Sequence, residues 1–234
     1  MIEYVVSTNI DDRTLTRAAR VLEGGGLIAL PTDTSWSLVC SLKSPAGIKK
    51  LRKLSGERDE RHFTLLCSDI SQFGELCSLD NSRFRLIKRL SPGPYVFILK
   101  TLLGTEKALG LSVRNIHRRE AGVRIPGHQV PLALIQTLQQ PLYSITAKKS
   151  MRRDIYETGS QEENEFEYIV GEDADLPPIP EEDLFEGGWE LDGIDGVDMV
   201  LDDGEERERI FSTILDISEE EIRLLRRGAG DWPA

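Results

Sequence analysis

Apolar residues along this chain recur in short blocks whose spacing switches between a strand period and a helix period. A β-rich block at residues 4–7 is followed by Leu15, Ala18, Ala19 and Leu22 at helical spacing, with Asp11 or Asp12 placed to cap the helix and Gly24-Gly25-Gly26 to end it. Residues 27–31 form an apolar run closed by Pro31, and residues 35–42 form a second strand-like run. A helix opens at Ser44-Pro45, with proline in its first turn, and carries Ala46, Ile48, Leu51 and Leu54. Residues 63–67 predict a strand and residues 69–90 two short helices, the second with Phe84, Leu86, Ile87 and Leu90 set among basic residues.

After the turn Ser91-Pro92-Gly93-Pro94 come a strand at 95–99, a strand at 122–126 stopped by Pro126, a helix at 130–138 and a strand at 142–146. Strand character is brief at 168–170 and returns at 197–201, 212–217 and 222–226. Strands and helices alternate without internal repeats, which predicts a mixed α/β fold.

Charge divides the chain in a way this pattern does not. The 234 residues carry 40 acidic and 29 basic side chains, a net charge of −11 that argues, as an average, against an anionic partner. Residues 1–153, however, hold 24 basic and 13 acidic side chains, and residues 154–234 hold 5 and 27. A body of +11 therefore precedes a remainder of −22, and a basic groove is compatible with the acidic total. The expected organisation is one domain over 1–234 with an acidic, largely irregular insert at 154–196, which contains Pro177-Pro178-Ile179-Pro180 and Gly187-Gly188.

Cys40, Cys67 and Cys77 are odd in number and lack ligand spacing, so neither a disulfide framework nor a metal site is expected, and each reads as a small core residue. With no signal-like N-terminal run and no membrane span in the pattern, a cytoplasmic protein with no membrane partner is expected. No Ser/His/Asp, HExxH or GxxxxGK[ST] arrangement occurs.

Four fragments stand in a telling order: Leu30-Pro31-Thr32-Asp33-Thr34; Ser91-Pro92-Gly93 leading into Phe97-Ile98-Leu99; Val123-Arg124-Ile125-Pro126-Gly127-His128; and Ser212-Thr213-Ile214-Leu215-Asp216 before Leu225-Arg226-Arg227-Gly228. Together they resemble the threonylcarbamoyl-AMP synthase (YrdC-like) family across the chain outside the acidic insert. The stretches running from Arg52 to Asp69 and from Phe84 to Lys100 are most similar to its YciO-type branch. The resemblance implies a YrdC/RibB-like twisted mixed sheet with flanking helices and a basic concave groove. It further implies that ATP, with Mg2+, L-threonine and bicarbonate combine to give threonylcarbamoyl-AMP and pyrophosphate, serving modification of a tRNA adenosine.

That chemistry needs fixed cations and hydroxyls at strand ends to hold a carboxylate and three phosphates. The resemblance assigns Thr32, Thr34, Arg124, Thr146 and Ser212 to threonine, with Arg124 suited to a bidentate grip on its carboxylate. It assigns Lys50, Arg52, Ser144, Lys148 and Arg226 to ATP and its phosphates. Lys50-Leu51-Arg52 reproduces the family's Lys-x-Arg literally, whereas a second register keeps only Arg52.

Read without the resemblance, Arg124 is equally a surface ion pair, residues 31–34 a capped turn, residues 49–53 a solvated basic face and Arg226 a sheet-edge charge. Departures from the family are Trp36-Ser37 for its Tyr-Gly, Lys148 for the asparagine of its Ser-x-Asn, and Lys149-Ser150-Met151 where a Ser-Gly element is expected. His128 reads as a neighbour of a helix cap. Two other functions stay open: a non-catalytic module binding double-stranded RNA, tRNA or a ribonucleoprotein through the same groove, and a scaffold whose groove is plugged by the acidic insert.

Overall fold

A computed structural model describes residues 1–55, 63–103, 119–152 and 180–232. Among the described residues ten strands form one sheet: β1 (Ile2–Tyr4), β2 (Ile28–Leu30), β3 (Ser37–Ser41), β4 (Thr64–Leu66), β5 (Tyr95–Lys100), β6 (Glu120–Arg124), β7 (Leu142–Thr146), β8 (Met199–Asp202), β9 (Thr213–Asp216) and β10 (Arg223–Arg226). The α-helices among the described residues flank it: α1 (Asp12–Glu23), α2 (Pro45–Ser55), α3 (Ile70–Leu76), α4 (Asn81–Leu90) and α5 (Gln129–Leu138). The order across the sheet is β1-β8-β2-β3-β7-β4-β6-β5-β9-β10, mixing parallel and antiparallel pairs, so the mixed α/β expectation holds.

The helices form where caps and apolar spacing agree. Asp11 caps α1 by accepting the Arg13 N–H at 2.7 Å, while Leu15, Ala18, Ala19 and Leu22 form its buried stripe. Gly25 leaves the helix at φ +82, a left-handed conformation that a residue with a Cβ adopts only with strain. Asp69 and Asp80 cap α3 and α4 in the same manner.

Two apolar layers cover the two sheet faces. One gathers Trp36, Phe73, Phe97, Val123 and Phe185, and the other packs α1 and α5 over Ile28, Leu30, Val39, Leu66 and Leu142. All three cysteines are free and buried, and burial pushes the Cys40 and Cys77 thiols up to about 12, which leaves them un-ionised and inert at neutral pH.

One expected strand is displaced. The pairing runs instead through β1 at Ile2–Tyr4, with the Val5 N–H donating to Asp202 O at 2.7 Å beyond it, because the partner is β8, with Ile2 opposite Val200. The expected strand at 168–170 lies outside the described residues.

Residues 180–196 pack into the fold. Leu184, Phe185, Leu191 and Ile194 are buried, the Trp36 indole N–H donates to Glu186 O at 3.1 Å, and Asp183 accepts both the Ser150 N–H and its hydroxyl at 2.7 and 2.8 Å. Glu190 pairs with Lys149 at 3.2 Å, and the backbone of Leu184 bridges to Lys148. This described stretch is thus a strap built into one apolar layer, and Trp36 is one of the side chains it covers.

Candidate functional site

Directly paired residues share a sheet face, as do residues two apart on one strand. The register Ser37–Thr146, Val39–Ser144–Thr64–Gly122 and Leu66–Arg124 therefore sets Ser37, Thr64, Ser144, Thr146 and Arg124 on a single face. That face is apolar beneath α1 and α5 and becomes polar beyond them. Ser144 donates its hydroxyl to Thr64 O at 2.7 Å.

Arg124 is the centre of the site. It is 4% exposed and donates from Nε to Gly93 O at 3.3 Å, from Nη1 to Thr34 Oγ1 at 3.0 Å and Ser212 Oγ at 2.6 Å, and from Nη2 to Asp33 Oδ1 at 2.6 Å. β2 and β6 are four inter-strand steps apart, about 19 Å in a flat sheet, yet the loop after β2 reaches the end of β6. The sheet must curl to bring them together. Burial lowers the Arg124 pKa while the Asp33 carboxylate opposes the shift.

Hydrogen-bond direction decides what each group has left to offer. Thr32 donates its hydroxyl to Ser35 O at 2.6 Å and accepts the Thr34 N–H at 3.2 Å, so its 3.1 Å contact with Thr34 Oγ1 is donated by Thr34. Thr34 has then spent its proton. Ser212 accepts from Arg124 and keeps its own hydroxyl proton.

Arg124 has spent four of its five N–H donors on protein, so a two-point grip on a carboxylate is not available to it in this arrangement. Arg226 is different: Nε donates to Ser212 O at 3.0 Å, the guanidinium lies 4.9 Å from the Phe211 ring centroid, and neither Nη has a partner among the described residues. Burial, reinforced by the Arg124 charge, lowers its pKa to about 10.

The Ser212–Arg226 corner is laced by backbone. Gly228 N–H donates to Thr213 Oγ1 at 3.0 Å, Ala229 N–H to Phe211 O at 2.8 Å, and a Cβ at Gly228 would come within 2.2 Å of Phe211 O. Only glycine permits this close approach.

Thr32, Thr34, Arg124, Ser212 and Arg226 thus form one connected cluster. Ser144 and Thr146 lie on the same sheet face, and half-buried Lys148 follows them just beyond β7. Lys50 and Arg52 contact different partners. They sit two residues apart on α2 and flank the buried Leu51, about 200° around the helix. Lys50 meets Asp198 at 3.7 Å, and Asp198 also accepts the Leu27 N–H, which lies at the opposite end of β2 from Thr32. Arg52 instead lies 5.9 Å from the centroid of Phe63, whose ring stacks on Tyr143.

Two members escaped the sequence reading. Asp33 is the counter-ion of Arg124, with a side chain 16% exposed and with Oδ2 buried and unpartnered. An acid between two threonines at the end of a buried strand, in a chain with an arginine at another strand end, was the available signal. Asp203 is the second. His128 is itself the cap of α5, its Nδ1 accepting the Val130 N–H at 3.2 Å, so Nε2 carries the proton and donates to Asp203 Oδ2 at 3.1 Å. Arg207 also pairs with Asp203. Burial and the Arg207 charge hold the His128 pKa below its ordinary value, against the pull of Asp203 and Asp33. Among the described residues no group of three His, Cys, Asp or Glu side chains could hold a metal ion, and no helix is long and apolar enough to cross a membrane.

Comparison with known proteins gives this geometry its setting. The Escherichia coli protein YciO is 31% identical over 141 residues, a match covering 60% of this chain and 66% of that protein, just under two thirds of its length. The mouse threonylcarbamoyl-AMP synthase is 29% identical over 136 residues, covering 58% of this chain and 46% of that enzyme. The crystal structure of Escherichia coli YciO superposes with a TM-score of 0.74 at 23% identity, covering 99% of this chain and 97% of that one. Pyrococcus abyssi Sua5 complexed with L-threonine gives 0.68 at 20% identity, covering 97% and 57%. At these identities the two structures establish the shared fold. The family model described as telomere recombination matches residues 20–179, a span that takes in the Thr32–Thr34 loop and Arg124, and the chain therefore belongs to the Sua5/YciO/YrdC family.

Proposed function

We propose that this chain binds L-threonine in the hydroxyl cluster around Arg124, holds ATP along the adjoining sheet face, and joins them with bicarbonate to make threonylcarbamoyl-AMP. The observation that carries the reading is the unspent donor set, the Ser212 hydroxyl, the last Arg124 N–H and the two Nη groups of Arg226, gathered beside one buried carboxylate. A site with more cation than anion, built around a buried guanidinium, favours an anionic ligand.

In this reading Ser212 and the remaining Arg124 N–H meet the threonine carboxylate, and Thr32 and Thr34 shape the pocket that Arg124 holds rigid. Asp33 Oδ2 is the acceptor available to the amino group. Arg226 and Lys148 meet phosphate oxygens, Lys148 as a point charge where an amide would have recognised the nucleotide. Thr146 supplies a hydroxyl on the sheet face between them, while Ser144, whose proton goes to Thr64 O, offers the nucleotide only an acceptor. Magnesium would arrive on the nucleotide's phosphates.

The reaction forms a bond from threonine nitrogen to the carbon of bicarbonate with loss of water. The resulting carbamate oxygen then attacks the α-phosphorus, and pyrophosphate leaves. The adenylate would supply a tRNA-modifying step downstream.

The test is calorimetric titration with L-threonine, followed by pyrophosphate release with ATP, magnesium and bicarbonate. Threonine should bind, pyrophosphate release should depend on it, and Arg226→Ala should lower release at least tenfold. Failure of threonine to bind overturns the proposal. Binding without pyrophosphate release at high enzyme concentration removes the synthase step and leaves a threonine-binding protein.

A further inference from the structure

Beside the end of β6 lies an open cavity, of about 380 Å³, between the start of α3, α4 and the turn into α5. Ile70, Phe84, Ile125 and Leu132 give it an apolar floor, and Lys88 stands at its edge. Phe84 is 42% exposed and presents part of its ring to the cavity.

The helix that carries Phe84 also carries cations. Phe84 and Lys88 are four residues apart and so lie one above the other along the cavity, while Arg85 and Arg89 repeat that spacing on the neighbouring stripe. Arg83 is consumed within the fold, pairing with Asp80 and donating to Ile217 O and Glu219 O. Arg85, Lys88 and Arg89, in contrast, are exposed and have no ion-pair or hydrogen-bond partner among the described residues. Three like charges at this spacing repel one another, and an anionic partner would relieve that repulsion.

We propose that this cavity is a docking site for a protein segment that inserts one apolar side chain beside Phe84 and lays acidic residues along Arg85, Lys88 and Arg89. An apolar anchor ringed by charge contacts is the usual energetic plan of such a surface. The apolar floor, which suits an aliphatic or aromatic side chain, decides between a peptide and a nucleic acid. The Asp69 carboxylate at the rim accepts from Ser68, Ser71 and Gln72 and repels a phosphate and a peptide carboxylate alike, so the acidic residues of the partner lie toward Arg85, Lys88 and Arg89. The floor, with a single aromatic ring, also offers a nucleobase little to stack on.

The experiment uses the full chain and three fluorescent probes in polarisation titrations at physiological ionic strength: an acetylated Glu-Glu-Leu-Phe-Glu-Glu peptide, the same peptide with both apolar residues replaced by serine, and a ten-nucleotide oligouridylate. The Leu-Phe peptide should bind and the serine peptide should not. Phe84→Ser and the double variant Arg85→Glu with Lys88→Glu should each weaken binding at least tenfold. Their melting temperatures should stay within about 2 °C of the parent, as expected for exposed, unpartnered positions. No peptide binding, or binding untouched by both variants, overturns the proposal. Tighter binding of the oligouridylate that is lost in the same variants also overturns it and makes the surface a nucleic-acid site.

Discussion

Arg124 spends four donors as a buttress that sets the pocket and has one left for the ligand, and replacing it by methionine measures the buttress. The substitution keeps an unbranched stem of similar shape and removes every donor. It strands Asp33, whose side chain is 84% covered, and takes the donor from Thr34, Ser212 and Gly93 O together. Removing one partner of a buried ion pair costs about 3–5 kcal/mol, so Arg124→Met should destabilise the fold by about 4 kcal/mol. A chain of this size unfolds in urea with a slope of about 3 kcal/mol/M, and the midpoint should fall by roughly 1.3 M. Adding Asp33→Ala removes the stranded charge and should return about 2 kcal/mol, the coupling expected of residues in one network. Circular dichroism in urea on the parent, both single variants and the double variant measures all four corners. A midpoint loss under about 0.3 M with threonine binding abolished would refute the buttress and make Arg124 a ligand contact.

Two further predictions concern protons. Because burial and Arg124 lower the Arg226 pKa to about 10, its charge is complete at neutral pH and is shed as pH rises through that value. Calorimetric affinity for pyrophosphate should hold below pH 9 and fall above about 10, while Arg226→Ala should bind weakly at every pH. His128 is held neutral in the fold, its pKa lowered by burial and by Arg207, so the unfolded chain takes up a proton first as pH drops. The imidazole's share of stability is therefore whole above about pH 6.5 and declines below it. Thermal melting should show that decline in the parent and lose its histidine-dependent part in His128→Asn, which can still cap α5, whereas His128→Ala should cost about 1 kcal/mol at neutral pH.

Local signals explain why most elements could be read from the chain. β5, α4 and α5 each combine an unbroken periodicity with a turn, a cap or a proline at their margins, and the structure returns them within a residue or two. β1 could not be located in that way. Its position is set by β8, nearly two hundred residues later, and nothing near Tyr4 records that pairing.

Within the site, the two threonines, Arg124, Ser212 and Arg226 were legible as a group through their family resemblance. The division of labour among them was not. Whether a guanidinium faces a ligand or a carboxylate depends on which loop the curled sheet brings to it, and Asp33 arrives from four strands away. Lys50 and Arg52, read as a phosphate pair from the family's Lys-x-Arg, lie two residues apart on α2 and contact Asp198 and Phe63 respectively, a divergence that the sequence alone does not record. Residues 180–196 read as acidic and irregular, yet the pair Leu184-Phe185 within them is fully buried.

The place of β8 between β1 and β2 carries a consequence for how the chain is made. β1 and β2 are joined through α1 and never pair with each other; both hydrogen-bond in parallel to β8. A nascent chain that has delivered everything through β7 therefore presents Ile28, Ala29 and Leu30 as an open apolar edge, the kind of surface on which unrelated strands associate. That edge closes only after residue 199 has been added. Synthesis of the acidic third is thus the step that converts an exposed margin into the interior of the sheet, and the excess negative charge emerges from the ribosome just as the chain most needs to stay apart from its neighbours.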